Sequence, residues 1–241
     1  IMQKSIERGI KEAPVSKSGL VGGDGQRLYH YSKGRTLCGQ VINEAVSYAL
    51  ATAEVNASMG RIVACPTAGS CGIVPAVLES VQRSLDLTDE EVTMGLFTSA
   101  AIGSVVAFKA SVSGAVGGCQ AECGTASAMA AAAAVELAGG SPEAAINAAA
   151  MVIKNVLGLV CDPVAGLVEV PCVKRNAMGA SLALVCADMA LAGITSRIPM
   201  DDVIMAMDMV AHALPVSLKE TALGGLAATP SGQEIEKRVH S

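Results

Sequence analysis

Cys119 follows Gly117-Gly118 and stands directly before an alanine-rich stretch. A thiol at a helix N-terminus is acidified, because the exposed N–H groups favour the thiolate, and thiolate is the form that binds metal. Cys161 and Cys172 bracket another break, each next to a stiffening proline, in Cys161-Asp162-Pro163 and Pro171-Cys172. The three cysteines are 42 and then 11 positions apart. Neither interval is the close CxxC pairing of a zinc site. Three soft thiolates from distant segments suit an iron–sulfur cluster, and three ligands in place of four would leave one iron open to a substrate. The competing reading is three buried apolar thiols, since free cysteine behaves as a small hydrophobe. Spacing alone leaves both open.

A second candidate is Pro66-Thr67-Ala68-Gly69-Ser70, flanked by Cys65 and Cys71. Its backbone N–H groups and two hydroxyls would form an anion cradle at the start of the next helix, of a size for a carboxylate. An ordinary capped turn reads the same way. No GxxxxGK[ST] occurs, so a nucleotide phosphate is not indicated. Cys65 and Cys71 either line this site or form a redox pair. Cys123, one helical turn past Cys119, is read as packing, and Cys38 and Cys186 as core positions inside helices. A proton acceptor is not identifiable. His30, His212 and His240 are the only histidines, none in these loops, and Lys109 ends an apolar stretch where lysines usually reach solvent.

The elements that must hold these loops are helical. The chain has 241 residues, 51% hydrophobic and only 2% aromatic, with no Trp. Such a core is filled by small and aliphatic side chains, which let helices approach closely. A capping box, Thr88 with Glu91, opens a helix to about 108, and Ser141-Pro142-Glu143 opens another to about 157. Further helices are expected over 37–58, 73–85, 120–138, 174–193 and 199–214, separated by breaks at 60–72, 111–118 and 158–172. Residues 1–36 read as a short helix and a loop, part of an N-terminal segment that starts inside a longer gene product. The tail from Gly224 reads as loop. The best strand candidate is only 167–171, so the expected architecture is all-α, a single helical catalytic domain over 1–241 with Gly/Pro/Cys-containing loops between helices.

The net charge of −5 and the absence of basic runs exclude a nucleic-acid partner. Mean hydropathy is +0.49. The longest apolar stretches, 92–108 and 177–194, end at Lys109 or contain Asp188 and lack Trp/Tyr belts. They are expected to be buried helices of a soluble protein, with no membrane contact. Eight cysteines without a signal peptide point to reduced thiols in the cytoplasm.

Three blocks together resemble the iron–sulfur L-serine dehydratases: CPTAGSCGIVPA (65–76), SGAVGGCQAECG (113–124) and CDPVAGLVEVPCVKRNAMGAS (161–181). EVNASMGRIVA (54–64) and KETALGGLAATPSG (219–232) extend the likeness over nearly the whole chain. The resemblance implies a helical fold and a [4Fe–4S] cluster on Cys119, Cys161 and Cys172, with one iron not ligated by protein. It implies dehydration of L-serine to aminoacrylate, which yields pyruvate and ammonia, a step of amino-acid degradation that can feed gluconeogenesis. Thr67, Ala68, Gly69 and Ser70, with Ser113, Arg175 and Asn176, are then the expected substrate-binding residues, and the base is unknown. Lack of a regulatory domain is similar to the two-subunit type, the α subunit of which works with a regulatory β subunit, as a homodimer or heterotetramer. A pyridoxal-phosphate dehydratase would place lysine where these loops carry cysteine. A redox-sensing iron–sulfur protein without enzymatic activity is the alternative, and it would need a fourth protein ligand.

Overall fold

The computed structural model describes residues 1–241. In chain order its α-helices are α1 (Met2–Glu12), α2 (Asp24–Tyr31), α3 (Gly39–Ala57), α4 (Ile73–Leu85), α5 (Asp89–Lys109), α6 (Gly114–Gly117), α7 (Cys119–Leu137), α8 (Pro142–Asn155), α9 (Cys172–Leu191), α10 (Met200–Ala213) and α11 (Pro230–His240). No strand forms, and residues 167–171 are a turn, so the fold is all-α. Extended pairing is limited to two isolated bridges, Val15 with Gly22 and Cys161 with Lys219.

Helix α7 is the axis. Every residue from Cys119 to Val135 is buried. A helix enclosed on all sides needs no polar face, and alanine lets α4, α5, α8 and α9 close around it. Its Gln120 is satisfied internally: Nε2 donates to Met207 O at 3.1 Å and Oε1 accepts from Gly158 N at 2.9 Å. One continuous apolar core runs from Ile6 of α1 to Met207 of α10. Both helix starts legible from local chemistry are present. Thr88 and Glu91 form the reciprocal capping box, and Ser141 Oγ accepts from Ala144 N at 3.1 Å.

Four expectations are corrected. Residues 1–36 hold two helices, because the N-terminus of α2 is capped from a distance: the buried Glu54 carboxylate of α3 accepts from Asp24 N at 2.8 Å and Gly25 N at 3.3 Å. Cys38 is not core; it precedes α3 and is exposed. The tail carries α11, with Thr229 as N-cap, accepting from Gly232 N, and Pro230 in the first turn. The stretch 92–108 is not a buried helix, since only Gly95, Ser99, Gly103 and Val106 of α5 are buried. By length and composition α5 is the one helix here that could cross a membrane.

Candidate functional site

The breaks between helices bring Cys119 and Cys161 together, with Cys172 near enough to feel the Cys119 charge. Cys119 is the first residue of α7 and Cys172 the first of α9, while Cys161 sits in the connection between α8 and α9. The tail pins Cys161 on both sides: its N–H donates to Leu218 O and its carbonyl accepts from Glu220 N, each at 2.8 Å. The Sγ atoms of Cys119 and Cys161 and a carboxylate oxygen of Glu122 lie within 4.8 Å of one another, all on buried residues. Cys172 is buried nearby, its thiol pushed up to about 12 by burial and then by the Cys119 charge.

These thiols share one negative charge. Cys119 is held well below the usual thiol range, first by hydrogen bonds from Cys123 and Cys161, with burial opposing and Arg175 assisting. Cys123 and Cys161 are raised for the converse reason, since each donates to Cys119. Donation from neighbouring thiols thus joins the helix N-terminus that the sequence singled out. Arg175 adds the positive charge: Nη1 donates to Cys119 Sγ at 3.3 Å and to Val160 O at 2.9 Å, and Nη2 donates to Asp162 Oδ1 at 2.9 Å. The other Asp162 oxygen accepts from Leu226 N at 2.7 Å, tying the tail to the same pair.

The 66–70 loop meets this group from the other side. Thr67 Oγ1 donates to Glu122 Oε1 at 2.5 Å and lies 3.1 Å from Ser70 Oγ. The approach is so close that a Cβ on Gly69 would stand 2.6 Å from Glu122 Oε1. Asn176 joins the loop to α9: its Oδ1 accepts from Gly72 N at 2.9 Å, and its Nδ2 donates to Gly69 O at 2.7 Å and Cys172 O at 2.9 Å. Ala68 O accepts from Asn56 Nδ2 at 3.1 Å. The N–H groups of Cys71, Gly72 and Ile73 are already bonded within the protein, whereas the backbone N–H groups of Thr67, Ala68, Gly69 and Ser70 donate to no protein acceptor. Any anion cradle is therefore this loop itself, one turn ahead of α4. Ser113 precedes α6 and caps it with no side-chain bond. Next to it, a Cβ on Gly114 would lie 3.1 Å from Cys161 Sγ, 3.3 Å from Glu122 Oε2 and 3.4 Å from Glu220 Oε2.

Two residues in the group escaped the sequence reading. Glu122 was detectable, since a position three after Cys119 shares its helix face. Glu220 had no local signal; it arrives because the tail pairs with Cys161. The histidines stay outside: His30, His212 and His240 are all exposed, and Lys109 pairs with Asp201 at 3.2 Å. Cys65 and Cys71 are buried beside the loop as free thiols, and Cys186 is buried in α9.

Burial pushes the Glu122 carboxyl up to about 7, with the Thr67 bond opposing and the Cys119 charge adding to the rise. A raised carboxyl contributes stability that is complete below its unfolded value of 4.5 and is lost as pH rises through the folded value. In cluster-free protein, Glu122→Gln should therefore stabilise the fold above pH 7 by up to ~3 kcal/mol, with the gain vanishing below pH 4.5. Thermal melts of both proteins across that interval measure it, and a gain independent of pH would contradict it.

The family described as serine dehydratase alpha chain matches residues 1–227, a span holding every residue of this group. "Probable L-serine dehydratase, alpha chain" of Bacillus subtilis is 58% identical over 240 residues, covering 99% of this chain and 80% of that protein. "L-serine dehydratase, alpha chain" of Peptoniphilus asaccharolyticus is 46% identical over 238 residues, 98% of this chain and 82% of that one. "L-serine dehydratase 1" of Escherichia coli is 44% identical over 189 residues, 78% of this chain but 42% of that longer protein. On the extent of these matches, the chain belongs to the serine dehydratase alpha chain family.

Proposed function

We propose that the chain is an L-serine ammonia-lyase, converting L-serine through aminoacrylate to pyruvate and ammonia. The observation that carries the reading is the buried meeting of Cys119, Cys161 and Glu122 beneath the Thr67 loop. The donor set fits a [4Fe–4S] cluster on Cys119, Cys161 and Cys172 with one iron not ligated by protein. The donors are soft thiols from three rigidly held segments, with a guanidinium to offset thiolate charge and a glycine, Gly114, where any Cβ would crowd the group. When bound, the cluster supplies a Lewis acid that makes hydroxide a feasible leaving group.

The chain's own groups do the rest. The N–H groups of Thr67 to Ser70 receive the substrate carboxylate. Ser113 adjoins Gly114, the residue that faces Cys161 and Glu122, and is assigned to the substrate with them. Arg175, locked by Asp162 and Val160 O, keeps positive charge beside Cys119. Asn176, with its amide engaged by Gly72, Gly69 and Cys172, acts on substrate through the loop it holds. Glu122 and Glu220 are the carboxylates that face the thiols, and Glu122 Oε2 is the atom we assign to hold a proton during turnover. The proposed setting is the cytoplasm, where eight free thiols persist, with a regulatory β subunit as partner in a homodimer or heterotetramer.

Anaerobic reconstitution with iron and sulfide, followed by pyruvate release from L-serine with and without a β chain, tests the reading. Iron loading without pyruvate in either arm would overturn it. Ser70→Ala should raise KM for serine roughly three- to tenfold, about the worth of one neutral hydrogen bond, with kcat little changed. Steady-state kinetics separates the two, and an unchanged KM removes the Ser70 hydroxyl, as distinct from its N–H, from the cradle.

A further inference from the structure

Both phenylalanines of the chain stand on the outer face of α5, where Phe97 is 66% and Phe108 91% exposed. Met94 and Val105 accompany them, exposed as well. At 100° per residue, positions 94, 97, 101, 105 and 108 form one stripe opposite the buried Gly95, Ser99, Gly103 and Val106. The stripe is symmetric about Ala101: large apolar residues stand four and seven positions to either side, and the small exposed Ala101 marks the centre. In an antiparallel pair crossing at Ala101, a two-fold axis sets position 97 against 105 and 94 against 108, so every large apolar residue of the stripe meets another.

The charges agree. The first turn of α5 is acidic (Asp89, Glu90, Glu91) and its last residue is Lys109. Lys109 lies eight positions after Ala101 and Glu91 ten before it. In an antiparallel pair crossing at Ala101 they end within about 3 Å of each other along the axis, on the same side. Lys109 is bonded to Asp201 of its own chain yet remains 44% exposed, with donors to spare.

We propose that α5 is a two-fold interface with a second copy of this chain, the helices antiparallel and crossing at Ala101, with Phe97 packing near Val105 and Phe108 near Met94 of the other copy. Sedimentation velocity of the full chain should show a dimer. Phe97→Glu with Phe108→Glu should weaken self-association by roughly a hundredfold or more, because two anchors are lost and charge would be buried. Circular dichroism should match the parent, since both sites face solvent in the single chain, and melting should match it at dilutions where the parent is also monomeric, the parent alone gaining melting temperature with concentration. In a Cys38→Ser background, Ala101→Cys should form a disulfide-linked dimer under mild oxidation, and the off-stripe Ala107→Cys should not. A monomeric parent, a dimer indifferent to the glutamates, no cross-link at position 101, or an α5 face occupied only by phospholipid vesicles or by a different chain would each overturn the proposal.

Discussion

Cys161→Ala is expected to leave the chain folded but unable to retain iron after anaerobic reconstitution, with serine turnover falling to background. Its thiol is within 4.8 Å of Cys119 and Glu122, and its backbone is held from both sides by the tail, so its sulfur has a fixed place in the group. A purely packing role predicts something different. Removing one buried sulfur from a core costs on the order of 1 kcal/mol and leaves bound iron unaffected. Cys186→Ala supplies that comparison, because Cys186 is also fully buried but lies within α9, near Asn155 at 3.9 Å. Iron and sulfide content per chain, the visible absorption and pyruvate formation should all separate the two variants. Equal iron in both would remove Cys161 from the ligand set.

Arg175→Met is expected to be the most destabilising single change in the site. The Arg175–Asp162 pair is nearly enclosed, with side-chain exposures of 13% and 5%. Methionine fills much of the same volume, so the loss is electrical rather than a cavity. Asp162 would keep only the Leu226 N–H, and an uncompensated buried charge costs ~3–5 kcal/mol. The Cys119 thiolate would also lose its cation, so its pKa should rise. Urea unfolding midpoints test the first effect and pH-dependent alkylation of the cluster-free protein the second. Adding Asp162→Leu to Arg175→Met should recover much of the stability, since removing both partners leaves no orphaned charge, though not the acidity of Cys119. If Arg175→Met unfolds at the same urea concentration as the parent, the pair does not hold the tail.

The helices were legible where their signals are local. Thr88 with Glu91 and Ser141 with Pro142 fix the starts of α5 and α8 through bonds spanning three residues. The aliphatic, alanine-rich composition foretold close helix packing, and α4 spans the expected 73–85. The resemblance of the three loop blocks led to the family, which the comparisons establish. What failed depended on partners far along the chain. Helix α2 begins where Glu54 meets it, a contact between positions about thirty residues apart. Cys38 lies before α3 rather than inside it, and periodicity does not register a shift of two residues at a helix start. The apolar run of α5 gave no warning of exposure, because a helix apolar on both faces reads identically whether two partners cover it or one.

By itself the sequence determined which side chains could bind a metal or an anion, the helical class and the breaks where those residues cluster, since residue type, turn chemistry and periodicity act over a few positions. Only the tertiary structure decided that Glu122 and Glu220 face the thiols, that Cys123 and Cys161 donate to Cys119, and that the Asn176 amide ties the loop to α9 through Gly72, Gly69 and Cys172. The reason is physical: burial, shared charge and hydrogen-bond commitment arise between segments that meet in space, and no spacing along the chain encodes them.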